Sequence, residues 1–549
     1  MFRKLFSLAI AAFAFFASSA AQTAEVPSIL PKPTEIRMGN SNSTFTFNAE
    51  TKIVCKLDEK QAKYAIAEIN RTAEAIFGRK LKKSSKVHGD NNIIIKHNQA
   101  LGAEGYTLEI TPENILINAG SSAGLFYAAQ TLKQIVPVQA FETPIDIEKV
   151  SLPTLKITDK PHFSYRGFML DCSRHFWSVE TVKEVIDILA MHKMNRFHWH
   201  LTEDQGWRIE KKKYPLLTQI GSLREETTTG HNVGLDGITY GGYYTQKDIK
   251  EIVKYAQERF ITIVPEIEIP GHSLGALSAY PWLGCRGEEG NYKTWSYWGV
   301  SPQIACAGKE STFKFWEDVL KEVMELFPGE YIHIGGDEAP RDEWKVCPLC
   351  QERIKENGLK NEAGLQSYVT GRIEEYLHKH GRKLIGWDEI LEGGVSQSAT
   401  IMSWRGADGG IAAAKKGNYA IMTPNGHCYL DYYQTTDRKD ELEGIGGYVP
   451  LRKAYSLNPY DRLTDEEKKY ILGVQGNLWT EYISTPLQLQ YKMLPRLGAI
   501  AEIGWSNPAP EAKDTEEFIG RSKELARYYY AFGWNFARHF YEDGVQNGW

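Results

Sequence analysis

Cysteine is scarce in this chain: seven among 549 residues, an odd number that excludes a dense, fully paired disulfide framework. Beyond the first two dozen residues no run of 18 apolar residues occurs, so nothing there reads as a membrane-spanning helix. Excess basic charge is missing as well. With 64 Lys+Arg against 69 Asp+Glu the net charge is −5, and no strongly basic face is available to select nucleic acid. The remaining composition, 42% hydrophobic and 24% charged, is that of an ordinary globular protein and excludes disorder, collagen-like repeats and coiled coil. What stands out is aromatic content, 12% with 14 Trp and 29 Tyr. A large core can absorb these residues, and a site that stacks flat, weakly polar rings can use them.

Arg3 and Lys4 precede an almost wholly apolar stretch, residues 5–17, and Ser19-Ala20-Ala21 supplies small residues where a signal peptidase cuts. The stretch is short of the roughly 20 residues of a spanning helix, so residues 1–21 are expected to be a signal peptide and the rest an exported soluble protein, periplasmic or secreted. Export permits disulfides. Cys285 and Cys306 flank a loop rich in Gly, Trp and Tyr, and a disulfide between them is expected. Cys347-Pro-Leu-Cys350 has zinc-knuckle spacing, but no second pair accompanies it at ligand spacing, so a local disulfide or two thiols is expected there and no metal. Cys55, Cys172 and Cys428 read as buried apolar residues.

Residues 22–155 read as a small α+β domain, with β-branched runs at 51–55 and 92–96, an amphipathic segment at 61–77, further strands at 106–110 and 114–118, and a helix at 122–135. No catalytic constellation falls in it. From Phe163 strands and helices alternate. Strand-like segments lie at 167–171, 196–201, 262–268, 331–335, 384–387, 400–404, 419–423 and 471–476, and helix-like ones at 179–193, 246–258, 312–326, 365–380 and 409–416. This repeat predicts an α/β fold, a (β/α)8 TIM barrel over residues 156–514. A doubly wound open sheet would carry a glycine-rich phosphate loop after its first strand, where this chain has Asp171-Cys172-Ser173-Arg174. Residues 515–549 read as an aromatic-rich helix packed on the barrel wall.

Barrel active sites sit at the C-terminal ends of the strands. Those ends carry many carboxylates, arginines and tryptophans, the side chains that glycoside hydrolysis uses for proton transfer, hydroxyl binding and sugar faces. His333-Ile334-Gly335-Gly336-Asp337-Glu338 resembles the catalytic motif of glycoside hydrolase family 20, the β-N-acetylhexosaminidases. Other segments match the family in order: Tyr165-Arg166-Gly167, the run from His198 to Arg208, Pro265 to His272, Gly386 to Glu389, Ser403 to Gly406, Tyr429-Leu430-Asp431 and Gln475 to Glu481.

The resemblance implies an exo-acting enzyme that removes terminal β-linked GlcNAc or GalNAc with retention and without a cofactor, the substrate's own acetamido oxygen attacking the anomeric carbon. Glu338 would be the acid/base, its pKa raised by burial and by Asp337, which would stay ionised and hold the acetamide N–H. Trp387, Trp404 and Trp479 would wall the acetamido pocket, Tyr429 would donate to the acetamido oxygen, and Arg166, Asp431 and Glu481 would bind ring hydroxyls. Asp204 and His272 would orient and tune Glu338. Three rivals stand beside this reading. His198-Trp199-His200 has the spacing of metal-dependent amidohydrolases, a protein nucleophile could come from Glu266, Glu268, Asp388 or Glu389, and a non-catalytic sugar-binding barrel would be expected to lack the acid pair that this chain retains.

Overall fold

The computed structural model describes residues 26–142 and 147–540, apart from Arg438 and Asp440, so the expected signal peptide lies outside the described residues. The front domain is a seven-stranded sheet built from β1 (Glu35–Met38), β2 (Lys52–Cys55), β3 (Lys82–Ser84), β4 (Asn92–His97), β5 (Tyr106–Ile110), β6 (Asn114–Ala119) and β7 (Leu155–Asp159), in the spatial order β1-β7-β5-β6-β4-β2-β3. Along β5 and β6 every second residue is buried, the alternation of a sheet covered on one face. The cover is α1 (Glu59–Phe77) and α2 (Ser122–Ile135), which pack on each other. Because β7 belongs to this sheet, the front domain runs on to Asp159, a few residues beyond the expected boundary.

Eight parallel strands close the barrel: β8 (Tyr165–Asp171), β9 (Arg196–His200), β10 (Thr262–Glu266), β11 (Tyr331–His333), β12 (Lys383–Trp387), β13 (Thr400–Ser403), β14 (Ala420–Met422) and β15 (Ile471–Leu478). Closure is parallel pairing of β15 with β8, Gly167 opposite Gln475. The outer helices include α3 (Val179–Met191), α4 (Gln246–Gln257), α5 (Glu310–Leu326), α6 (Glu362–Lys379), α7 (Asp408–Lys416) and α8 (Arg496–Ser506). Their starts follow ordinary capping chemistry: Ser178 accepts from the Thr181 amide before α3, and Thr245 and Asp248 form a reciprocal box before α4. Inside the barrel a separate apolar cluster includes Tyr165, Val264, Tyr331, Ile385, Met402 and Ile421. Among the described residues no helix is long and apolar enough to cross a membrane.

The C-terminal helix, α9 (Thr515–Ala531), is shorter than expected and does more than lie on the barrel wall. Arg521 pairs with Glu502 of α8 at 2.6 Å, while the Tyr528 hydroxyl donates to the carbonyls of Gln134 and Val136 at the end of α2. It therefore bridges barrel and front domain.

Candidate active site at the barrel mouth

The strand that carries the acidic pair stops at His333, and two glycines turn the chain. Gly335 has φ +65° and Gly336 φ +91°, and a Cβ on Gly335 would stand 1.7 Å from Glu268 Oε2. A side chain there would be strained and would have to displace Glu268. Glu338 itself sits at φ +43°, a conformation that side-chain-bearing residues avoid unless the surroundings impose it. The turn brings both acids to the mouth in unequal environments: the Asp337 side chain is 10% exposed, that of Glu338 45%. Burial was expected to fall on Glu338; it falls on Asp337. The Asp337 carboxyl is pushed up to about 7 by burial, held back by His272 and raised further by Glu266 and Glu338.

His272, on the turn after β10, faces this pair. Its Nδ1 lies 2.8 Å from Glu203 Oε1 and 3.4 Å from Asp204 Oδ2; its Nε2 has no hydrogen-bond partner and lies 3.6 Å from Asp337 and 3.8 Å from Glu338. Burial opposes a charge on this ring, but Glu203 and Asp337 outweigh it and the imidazole is held well above its ordinary pKa. Asp204 is spent on positioning, accepting the amides of Leu274 and Ser301 at 3.0 Å each.

The cleft above the pair encloses about 260 Å³ and is bounded by Asp337, Glu338, Arg174, Asp431, Glu481 and the rings of Trp404, Tyr429, Tyr432 and Trp479. That is close to the lower end, roughly 300 Å³, of small-ligand sites, enough for one ring rather than a chain. Trp404 stacks on Tyr429 with centroids 6.0 Å apart, and Trp479 lies 6.4 Å from the same tyrosine. Trp387 stands behind this wall, 1% exposed, its indole donating to Glu266 Oε1 at 2.8 Å. Asp431 is buried with neither carboxylate oxygen partnered, and burial followed by the charge of Glu481 pushes it up to about 8. Two such acceptors facing a polar cleft are placed to accept hydroxyl groups.

One expected residue is not here. Arg166 lies near the start of β8, at the end of the barrel opposite the mouth, where it donates to the carbonyls of Phe163 and Lys193 and pairs with Glu104 of the front domain at 2.8 Å. The arginine of the cleft is Arg174, just past the end of β8. It pairs with Glu203 at 2.6 Å and Asp171 at 3.3 Å, reaches Glu481 at 3.8 Å, and covers the Trp479 ring at 5.0 Å. Sequence reasoning gave no role to Arg174 or to Glu203, although the rule that sites gather at strand C-terminal ends points to both. The Cys285–Cys306 disulfide is also absent. Both thiols are free, and Cys306 instead lies 3.6 Å from Cys350 and 3.8 Å from Cys347.

The carboxylates that a protein-nucleophile mechanism would use have other neighbours, and the histidines of the His198-Trp199-His200 motif lie behind the cleft and do not bound it. His198, His200 and His333 all turn toward Glu266, at 3.0 Å for His198 and 2.8 Å for His333, with the Trp387 indole as a fourth neighbour. Burial disfavours the Glu266 charge, yet the three imidazoles hold its pKa well below the carboxylate range. Asp388 accepts from the amides of Trp404 and Arg405, and Glu389 takes the Trp404 indole. Glu268 is buried at 3% exposure beneath Gly335. None of these four carboxylates bounds the cleft.

A half-exposed acid beside a buried one, under an aromatic wall with hydroxyl-binding groups to spare, is equipped to cleave a glycosidic bond: this is a glycoside-hydrolase barrel. Comparison with known proteins gives the family. The model of the glycosyl hydrolase family 20 catalytic domain matches residues 163–508, and that of the family's domain 2 matches residues 26–160; the chain belongs to this family. A beta-hexosaminidase of Porphyromonas gingivalis is 45% identical over 497 residues, 90% of this chain, and the chain spans 62% of that relative's length. A family 20 exo β-N-acetylglucosaminidase from Vibrio harveyi, solved with N-acetylglucosamine, superposes with a TM-score of 0.83 at 32% identity, covering 94% of this chain and 79% of that one. For a β-N-acetylhexosaminidase from Bacteroides fragilis the TM-score is 0.78 at 31% identity, over 93% and 96% of the two chains.

Proposed function

We propose that the protein is an exo-acting β-N-acetylhexosaminidase, removing terminal β-linked GlcNAc or GalNAc with retention through an oxazolinium intermediate. One observation carries the reading: adjacent carboxylates on one turn are split into a buried Asp337 with an unpartnered Oδ1 and a half-exposed Glu338, both at a cleft sized for a single ring. Asp337 Oδ1 accepts the acetamide N–H and balances the positive charge that grows as the acetamido oxygen bonds to the anomeric carbon. Tyr429 donates its hydroxyl to that oxygen while Trp404 and Trp479 enclose the methyl group. Glu338 gives its proton to the departing glycosidic oxygen, then takes one from the water that opens the intermediate. Asp431, Glu481 and Arg174 hold the ring hydroxyls.

No step in this scheme requires a cofactor. The basic start and apolar run of residues 1–21 support export to a periplasm or beyond. The test is hydrolysis of an aryl β-N-acetylglucosaminide beside the corresponding β-glucoside. Turnover of the first only is expected; equal rates would eliminate acetamide participation, and inactivity on both would eliminate the enzyme.

A further inference from the structure

Four cysteines from two loops converge on one point outside the cleft. Cys285 and Cys306 lie in the long connection between β10 and β11, Cys347 and Cys350 in the connection that follows the acidic pair. Their sulfurs all lie within 4.8 Å of one another, with Cys306 to Cys350 at 3.6 Å, Cys306 to Cys347 at 3.8 Å and Cys285 to Cys350 at 3.9 Å. A zinc ion with four thiolates at ~2.3 Å places its sulfurs ~3.8 Å apart along every tetrahedral edge. A disulfide would need ~2.05 Å. The three measured separations match the tetrahedron, and Cys306 is shared almost evenly between Cys347 and Cys350 rather than paired with one.

The surroundings are built to bring these sulfurs together. Gly308 packs so closely on the Cys347–Cys350 turn that a Cβ there would meet the carbonyl carbon of Leu349 at 2.4 Å. Its amide also donates to the Cys306 sulfur. The Trp344 indole donates to the Ala305 carbonyl at 3.0 Å, and Lys309 donates to the carbonyls of Trp282 and Gly284, fixing the segments on either side of Cys285 and Cys306. Cys306, Cys347 and Cys350 are buried and Cys285 is half-buried. Four soft donors filling every tetrahedral position suit zinc and leave no place for water, the mark of a structural site rather than a catalytic one.

We propose that Cys285, Cys306, Cys347 and Cys350 bind one zinc ion that ties the loop following His272 to the loop following Glu338. Binding releases the four thiol protons to solvent and adds no electron transfer. The spacing motif at 347–350 lacked a partner pair in the sequence, and the fold supplies it from residues about 40 and 60 positions upstream.

The full chain, purified without chelator, is analysed for metal by plasma mass spectrometry and for thiols by intact mass after denaturation. One zinc per chain and a denatured mass with all seven cysteines reduced are expected. The C347S/C350S double variant should fall below about one tenth of that zinc content, and the C285S variant, which removes the most exposed ligand, should release zinc to a colorimetric chelator at least ten times faster than the parent. C55S, a cysteine outside the cluster, should keep full zinc. A denatured mass two or four units light with linked peptides from these loops would establish disulfides and overturn the proposal. So would a protein with neither metal nor disulfide after reconstitution with zinc sulfate, or a C285S variant that releases zinc no faster than the parent.

Discussion

Replacing His272 with Gln removes a cation while keeping a hydrogen-bonding side chain, and it should move the pH dependence of the enzyme in one direction. His272 Nε2 lies 3.6 Å from the Asp337 carboxylate, whose pKa stands at about 7 with the imidazole holding it down. At an effective dielectric of about 20 a pair at that separation interacts by about 4.6 kcal/mol, equivalent to ~3 pKa units, and water around the half-exposed Glu338 trims this toward one unit. In the proposed mechanism Asp337 is ionised when it holds the acetamide. Losing the cation therefore raises the pH at which the competent form appears, to between about 8 and 10. At pH 7 the ionised fraction would fall from about one half to between about 0.09 and 0.001, a loss of about 5-fold to about 500-fold that alkali restores. The assay is kcat/KM against pH with an aryl β-N-acetylglucosaminide whose leaving group needs little protonation, so that Glu338 does not mask the effect. An acid limb that stays put, or moves to lower pH, would refute the electrostatic role of His272. A loss uniform across pH would reduce that role to shape alone.

Glu338→Gln should lose far more activity on glycosides with poor leaving groups than on activated aryl glycosides, since only the former need its proton; equal losses would remove it from that role. Arg174→Met should lower kcat/KM at least about 30-fold, roughly 2 kcal/mol, because the cation proposed to bind ring hydroxyls is gone and buried Glu203 loses one of its two closest cationic partners, keeping His272. Arg166→Met should leave KM unchanged while lowering stability by about 2–3 kcal/mol in denaturant titrations, its partners being backbone carbonyls and Glu104 far from the cleft. Asp431→Asn should weaken kcat/KM yet raise the thermal midpoint at neutral pH. Its folded pKa of about 8 lies above the unfolded value, so the carboxyl's penalty on folding sets in above about pH 4, grows through neutral pH and is complete above about pH 8, a penalty the amide does not carry.

The barrel strands were readable because each is a short apolar run ending in polar residues, and seven of the eight predicted segments begin within one residue of the strands observed. Their ends were less so. The segment read as 331–335 stops at His333 and that read as 262–268 stops at Glu266, since the turn at Gly335 is set by a positive φ and by the carboxylate of Glu268 beneath it. Asp337 and Glu338 were legible from their motif. Their burial was not, because exposure at a strand-end turn depends on what the neighbouring loops bring, here His272 from the turn after β10. Assigning a ring-hydroxyl role to Arg166 rests on the family resemblance and not on strand direction: residue 166 is the second of β8, and residue 174 follows its end. The cysteine cluster was beyond local reading altogether. Its spacing in sequence carries no information about two loops that meet only when the barrel closes.

The contact of Arg166 with Glu104 belongs to a larger set at the base of the barrel. Lys193, just after α3, makes a fully buried ion pair with Asp159 at the end of β7, at 3.0 Å, and the same carboxylate receives the Tyr106 hydroxyl and the Trp505 indole. Lys193 and Trp505 reach Asp159 from the barrel side of the domain boundary while Tyr106 holds it from within the front domain, so parting the two domains would break a buried, hydrogen-bonded ion pair and expose its apolar surroundings to water. The front domain is thus a foundation for the barrel rather than an appendage. Barrel and sheet should melt in a single cooperative transition, and a catalytic fragment cut at residue 160 would lose the counter-charges on which its own floor depends.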